Sequence, residues 1–121
     1  MISNKTKNFK ELIVWQRAHE FVLNIYDLTS NFPKEEIYGL IPQFRRAAIS
    51  IAANIAEGYK KRSKKDKLRF LNIAEGSLEE CQYYLVLSKD LKYGFNKEIS
   101  IQLNEIGKML TKYSKVIKTD V

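Results

Sequence analysis

This 121-residue sequence has one histidine and one cysteine, two residue types that often catalyse reactions or bind metals. The only histidine, His19, has no Glu three residues before it, so the Glu-x-x-His pairs of di-iron helical bundles cannot form. It also has no Arg five to seven residues earlier, which is the spacing between Arg and His in helical-bundle ribonucleases. This argues against that type of active site. We therefore expect a structural His19 and no metal site, although a site made of carboxylates alone stays open.

Other reactive side chains are equally isolated. The only cysteine, Cys81, falls in the predicted core row of a helix, where a thiol is inert more often than catalytic. Glu79 and Glu80 are adjacent and therefore point in different directions on a helix. The sequence also has no glycine-rich phosphate loop. These features predict a protein that is not an enzyme and that has no catalytic residues and no cofactor.

The strongest chemical signal is a run of cations that we call the basic cluster. Seven of the ten residues from 60 to 69 are basic, and Asp66 is the only acid among them. Its members are Lys60, Lys61, Arg62, Lys64, Lys65, Lys67 and Arg69. Such a run either binds a polyanion or simply solvates a loop. A net charge of +7 and a pI near 9.5 favour nucleic acid or an acidic membrane surface as the partner.

The bulk composition is that of one globular domain, with 45% apolar and 29% charged residues. We predict a disordered segment over residues 1–8 and one domain over residues 9–118. A single cysteine and the absence of a signal-peptide pattern predict a cytoplasmic protein. No apolar run reaches the roughly 18 residues that a membrane span requires.

The elements that must position the basic cluster are four amphipathic helices, so the predicted fold class is all-α, an up-and-down four-helix bundle. The first helix starts near Asn8, carries the stripe Leu12, Trp15, Ala18 or His19, Val22, Ile25 and Leu28, and ends near Ser30. A helical turn is expected over 33–38 and the second helix over 41–59. Ser63 caps the third helix, which continues to Tyr93 with Gly94 as its C′ residue. Asn96 caps the fourth helix.

The third and fourth helices also carry repeating rows that predict bundle packing. On the third helix the rows are Phe70, Ser77, Tyr84 and Leu91, then Leu71, Leu78 and Leu85, then Ala74, Cys81 and Ser88. On the fourth helix the stripe is Ile99, Leu103, Ile106, Leu110, Tyr113 and Ile117.

The second helix has more apolar surface than one core can use. Its core side consists of Phe44, Ala47, Ala48, Ile51, Ala52 and Ile55. Ile49, Ala53 and Ala56 continue the apolar surface around the far flank, with Arg45 inside it. Either alanine is simply tolerated there as a helix former, or Ile49, Ala53 and Ala56 form an oligomer interface.

The chain resembles a known family along most of its length, from Phe9 to Gly94. The matching residues include Trp15-Gln16-Arg17-Ala18-His19, Phe32-Pro33-Lys34-Glu35-Glu36, Tyr38-Gly39-Leu40, Gln43-Phe44-Arg45-Arg46-Ala47, Asn54-Ile55-Ala56-Glu57-Gly58 and Gly76-Ser77-Leu78-Glu79-Glu80. These motifs are similar to those of the four-helix-bundle proteins encoded in 23S rRNA intervening sequences, a family related to the accessory proteins of diversity-generating retroelements. Ile41-Pro42 departs from the pattern, which has small hydroxyl residues there. The resemblance implies an up-and-down bundle that assembles as a homopentamer, and nucleic acid as a partner.

The sequence thus supports two functional hypotheses. The first is a non-catalytic, homo-oligomeric RNA- or DNA-binding protein that contacts phosphates through the basic cluster, supported by Arg45 or Arg46. Without base-reading motifs, such a protein would recognise backbone and shape, not sequence. The alternative is a helical scaffold whose main ligand is another protein.

Overall fold

Four amphipathic helices pack side by side in a computed structural model that describes residues 6–119. They are α1 (Ile13–Thr29), α2 (Leu40–Lys60), α3 (Lys64–Asp90) and α4 (Lys97–Thr119), with short 3-10 turns at Phe9–Glu11 and Lys34–Glu36. Each helix contacts the next in the chain, and α1 also contacts α4. This order is that of an all-α up-and-down four-helix bundle, as the sequence predicted.

The core is made of the apolar rows that the helical period predicts. All six core residues predicted on α2 are buried, from Phe44 to Ile55. On α3 the leucine row of Leu71, Leu78 and Leu85 is buried together with Ala74, Cys81 and Ser88. On α4 the buried residues include Ile99, Leu103, Ile106, Leu110 and Tyr113. The predicted rows on α2, α3 and α4 are confirmed for these residues, whereas Phe70, Ser77 and Ile117 are only partly buried and Leu91 is 45% exposed.

The prediction for the first helix was wrong in two respects. Asn8 accepts a hydrogen bond from the Lys10 N–H, but it caps only the 3-10 turn, because Leu12 is extended (ψ 124°) and α1 begins at Ile13. The buried row of α1 is Val14, Ala18, Phe21, Ile25 and Thr29, so Trp15, Val22 and Leu28 lie at its edge. Leu12, Ala18 and Ile25 of the predicted stripe are buried, so the prediction was right for these three residues and missed Val14, Phe21 and Thr29.

The N-terminal segment is described from Thr6 onward, and the first five residues of the predicted disordered segment lie outside the described residues. The Thr6 hydroxyl is 2.7 Å from the Tyr59 hydroxyl, which also donates to the Thr6 carbonyl at 3.1 Å. The Lys7 N–H donates to Glu11. Residues 6–8 therefore contact the bundle, and contacts with it begin before residue 9.

The predicted helix caps are correct at the starts of α3 and α4 and wrong at the end of α3. The Ser63 hydroxyl accepts from the Asp66 N–H at 3.1 Å, and Asn96 Oδ1 accepts from the N–H groups of Glu98 and Ile99, so both predicted caps are confirmed. The C-terminus of α3 differs from the prediction. Lys92, not Gly94, adopts the left-handed conformation there (φ 62°), and the Tyr93 N–H bonds back to the Ser88 carbonyl in a Schellman arrangement.

Candidate nucleic-acid interface

The basic cluster lies at one end of the bundle, on the connection between α2 and α3. Because consecutive helices run in opposite directions, the C-terminus of α2 and the N-terminus of α3 meet at this end. The N-terminus of α1 and the C-terminus of α4 lie at the same end for the same reason. We refer to it as the basic end.

The connection itself is short. Lys60 is the last residue of α2, and Lys61 is extended (φ −68°, ψ 148°), with its N–H bonded to the Gly58 carbonyl. Only three residues, 61–63, separate the two helices. A Cβ on Gly58 would lie 3.2 Å from the Cβ of Phe70, so the absence of a side chain allows α2 and α3 to approach closely here.

Five cations of the basic cluster are exposed: Lys60, Arg62, Lys64, Lys65 and Arg69. Among residues 6–119 there is one ion pair, between Arg69 and Asp66 at 4.0 Å, and both side chains are largely exposed. Such a surface pair is weak. The remaining exposed cations of the cluster have no acidic partner within the described part of the chain, which leaves them available to an external anion.

Lys67 does not belong to this exposed set, although the sequence placed it there. Its Nζ donates to the Tyr59 carbonyl at 2.7 Å and approaches the Gly58 carbonyl at 3.4 Å. These carbonyls are at the last turn of α2, where a cation also interacts favourably with the helix dipole. Partial burial lowers the pKa of Lys67. Its role in the structure is therefore to cap α2.

Two further cations of the cluster contact one aromatic ring. Lys61 Nζ lies 5.0 Å and the Arg69 guanidinium carbon 4.6 Å from the centroid of Phe70. Cation–π contacts at exposed sites contribute about 0.5–1 kcal/mol each. They keep both charges beside the turn without neutralising them.

Arg45 and Arg46 are not part of this site. They lie about 20 Å from Lys60 along α2, at a rise of about 1.5 Å per residue. Arg45 Nε donates to the Thr29 hydroxyl at 2.8 Å and Nη2 to the Tyr26 carbonyl at 3.2 Å, and the guanidinium covers the Tyr26 ring. Arg45 thus joins α2 to the end of α1. Arg46 is exposed to solvent.

The predicted oligomer interface residues lie on the outer side of α2. Ile49 is 42% exposed, Ala53 is exposed and Ala56 is half-buried. At about 100° per residue they share one direction with Pro42 and Arg46. Together they form an outward stripe without an intramolecular partner helix.

The comparisons with known proteins decide the family. The sequence matches the 23S rRNA-intervening sequence protein family over residues 10–112. The chain belongs to this family. Its fold is similar to the crystal structure of a protein of unknown function from the S23 ribosomal protein family of Bacteroides thetaiotaomicron. The two are 28% identical with a TM-score of 0.76, and the match covers 85% of this chain and 99% of that chain. A comparison with curated proteins found no match.

This member of the 23S rRNA-intervening sequence protein family has further cations at the basic end that the sequence analysis missed. Lys112, Lys115 and Lys118 are exposed near the C-terminus of α4, which shares this end. Lys108, Lys112 and Lys115 line one wall of a groove of about 770 Å³ between α3 and α4, and Glu75 and Glu79 line the other. The antiparallel order of four predicted helices could have placed these lysines at the basic end.

His19 and Cys81, the other reactive side chains considered in the sequence, contact an aromatic ring and the core, respectively. The His19 ring is exposed and stacks on Trp15, with centroids 5.0 Å apart and planes 7° apart. Burial, followed by the charge of Glu80, raises the pKa of the Cys81 thiol far above its ordinary value. Within residues 6–119, no three His, Cys, Asp or Glu side chains come together as a metal site. None of the helices described there is long and apolar enough to span a membrane.

Proposed function

We propose that this protein is a non-catalytic, homo-oligomeric nucleic-acid-binding protein that contacts RNA phosphates with its basic end. The observation that carries the proposal is the group of exposed cations at the α2–α3 turn, joined by the lysines at the end of α4. Arg69–Asp66 is the one ion pair within the described residues. So many unpaired cations at one end create a positive potential that attracts a polyanion.

RNA is the favoured polyanion, because the family is named for an intervening sequence of 23S rRNA. The exposed cations sit on a turn and on helix ends, and they are suited to phosphates more than to base edges. Recognition would therefore depend on the backbone and shape of the RNA and only weakly on its sequence.

The oligomer is proposed to form through the outward stripe of α2, with Ile49, Ala53 and Ala56 at its centre, and a homopentamer is favoured from the family resemblance. Small side chains in the stripe permit close approach of a neighbouring helix. In a closed ring the basic end would be repeated around the symmetry axis. Binding to one long RNA would then be multivalent.

A matched pair of triple variants tests the site. Arg62, Lys64 and Lys65 are changed to Gln at the basic end, and Lys89, Lys92 and Lys97 are changed to Gln at the opposite end as the control. Binding to a structured RNA and to duplex DNA is then measured across a salt series.

The basic-end variant is expected to bind more weakly and with a shallower dependence of log affinity on log salt. Each lost phosphate contact removes about 0.7–0.9 from that slope, so the slope should fall by up to about 2–3 for each subunit that contacts the RNA. The control should change neither quantity much, because its lysines are remote from the site. Equal losses in both variants would mean that only net charge matters and would refute the site.

The scaffold hypothesis is the second candidate. It is favoured by a cavity of about 580 Å³ between α1 and α2, around which Ile37, Ile49 and Tyr26 are exposed. If neither triple variant alters nucleic-acid binding, or if no binding is detected, the scaffold hypothesis becomes the better one. The apolar side chains around this cavity would then bind another protein.

A further inference from the structure

Two surfaces of the bundle expose apolar side chains, and their charges have opposite signs. The first, which we call the cavity face, surrounds the cavity between α1 and α2. Tyr26, Ile37 and Ile49 are each at least 41% exposed there, and Lys34, Arg45 and Arg46 line the same cavity. The cavity face is continuous with the outward stripe of α2, because Ile49 belongs to both.

The cationic part of the cavity face is held in place before any partner arrives. The bonds from Arg45 to Thr29 and to the Tyr26 carbonyl, together with its position 4.3 Å above the Tyr26 ring, fix the guanidinium at the edge of the cavity. Neither Arg45 nor Arg46 pairs with an acid within residues 6–119. The face therefore presents apolar surface beside a fixed, uncompensated positive charge.

The second surface is the outward side of α3, which we call the α3 face. Ile73, Tyr83 and Val86 are exposed on it, Tyr83 and Val86 by more than half. Glu79 and Glu80 are exposed among them and form no ion pair with any cation of residues 6–119. The Tyr84 hydroxyl lies 2.9 Å from Glu80 Oε2 and holds this carboxylate in position.

Gly76 marks the α3 face as a place of close approach. It lies in the interior of a 27-residue helix, where glycine is unfavourable relative to alanine because it increases the conformational freedom of the unfolded chain. A Cβ added at Gly76 would meet no atom within 4 Å, so packing within the subunit does not require the glycine. The gap lies between Ile73, Tyr83 and the two glutamates, and it lets a partner come close to the backbone of α3.

We propose that the cavity face of one copy binds the α3 face of a second copy. The faces match in chemistry, since each has three exposed apolar side chains and the cations of one meet the glutamates of the other. They lie on different sides of one bundle and cannot satisfy each other within a subunit. The contact is therefore heterologous, and its repetition gives a ring if the rotation closes. This inference rests on the homo-oligomer of the proposed function and identifies its second surface.

Two single variants, each damaging one face, test the contact. Arg46→Glu reverses a charge on the cavity face, and Gly76→Leu fills the gap on the α3 face. Each variant alone should lose the wild-type assembly and show the 14.1 kDa mass of the subunit in light scattering. An equal mixture of the two retains one intact contact, between the α3 face of the first and the cavity face of the second. The mixture should therefore form a heterodimer and nothing larger.

The melting temperature of the subunit shows whether a variant is monomeric because the contact is blocked or because the fold is damaged. In the Arg46→Glu background, adding Gly76→Leu should raise the melting temperature, because leucine favours helix over glycine and has room at this position. Glu80→Lys is a second variant of the α3 face and should also dissociate the assembly, while the double change Arg46→Glu with Glu80→Arg should restore it.

Three results would overturn the inference. A Gly76→Leu protein that stays oligomeric removes the α3 face from the contact. Two monomeric variants whose mixture forms no heterodimer exclude the head-to-tail arrangement. A monomeric wild-type protein refutes the proposed oligomer as well, whereas nucleic-acid binding through the basic end is judged by its own salt series.

Discussion

At the residue scale, Lys67 shows that a cation in a basic run can have a structural role. Its Nζ binds two carbonyls at the end of α2 instead of facing solvent. We expect Lys67→Ala to lower the free energy of unfolding by about 1–2 kcal/mol, because a charge-assisted hydrogen bond to the last turn of α2 is lost. RNA affinity should change little. Urea unfolding and a binding titration measure the two effects.

The matched control for Lys67 is Lys65, which is two residues away and exposed. Lys65→Ala should leave stability within about 0.5 kcal/mol of the wild type and should weaken RNA binding. If Lys67→Ala weakened binding as much as Lys65→Ala did and left stability unchanged, the capping role would be wrong.

At the scale of elements, the leucine row of α3 ties this helix to the core. Leu78 is 6% and Leu85 4% exposed. Replacing either by alanine should lower the free energy of unfolding by about 2–5 kcal/mol, since both transfer energy and packing are lost. Ile101→Ala, at a position that is 47% exposed on α4 and lies outside both proposed contact faces, is the control and should cost less than about 1 kcal/mol. Chemical denaturation of the three variants gives the comparison.

A second element-scale prediction concerns the N-terminus of α2. Glu36 Oε1 accepts the Leu40 N–H at 3.0 Å, and Oε2 accepts the Tyr93 hydroxyl at 2.7 Å, so one carboxylate joins α2 to the α3–α4 connection. The bond from Leu40, then that from Tyr93, lowers the pKa of Glu36 below its ordinary value of 4.5.

Because the folded state depresses the pKa of Glu36, its contribution to stability is present above pH 4.5 and is lost as the pH falls through the lower folded value. Glu36→Gln should therefore reduce the melting temperature at pH 7. It should also make the fall of the melting temperature below about pH 5 less steep than in the wild type. Circular dichroism in buffers of constant ionic strength measures both effects. If the melting temperature of the variant fell as steeply below about pH 5 as that of the wild type, this assignment would be contradicted.

At the scale of the whole molecule, assembly should multiply the charge of the basic end. Ala53 is exposed on the outward stripe, so Ala53→Glu should dissociate the oligomer without loss of helicity. Affinity for a long structured RNA should then fall by 100-fold or more, because simultaneous contacts are lost. Affinity for an oligonucleotide short enough to cover one subunit should change by less than about threefold.

This comparison separates assembly from surface charge, because the basic end of each subunit is unchanged in Ala53→Glu. Light scattering and filter binding on the same samples check both parts. If long and short RNA lose affinity equally, multivalency plays no role.

The sequence by itself determined most of what depends on residues near one another in the chain, although it misplaced the start of α1 and the C′ residue of α3. The helical periods fixed the buried rows of α2, α3 and α4, and the hydroxyl of Ser63 and the amide of Asn96 fixed two helix starts. These signals are reliable because a helix and its cap are formed within about one turn. Membership of the family also followed from the sequence, from motifs spread over most of its length.

Only the tertiary structure decided which cations are free. Lys67 and Arg45 look like exposed cations in the sequence, but their acceptors are carbonyls and a hydroxyl on a different helix. The exact buried row of α1 likewise depended on where α2 and α4 lie against it, which moved Phe21 into the core and Trp15 to its edge. The lysines of α4 are different, because the predicted up-and-down order of the helices already implies that they lie at the basic end. The contacts of Lys67, Arg45 and α1 join residues distant in sequence, and the spacing of residues along one helix carries no information about what the neighbouring helix supplies.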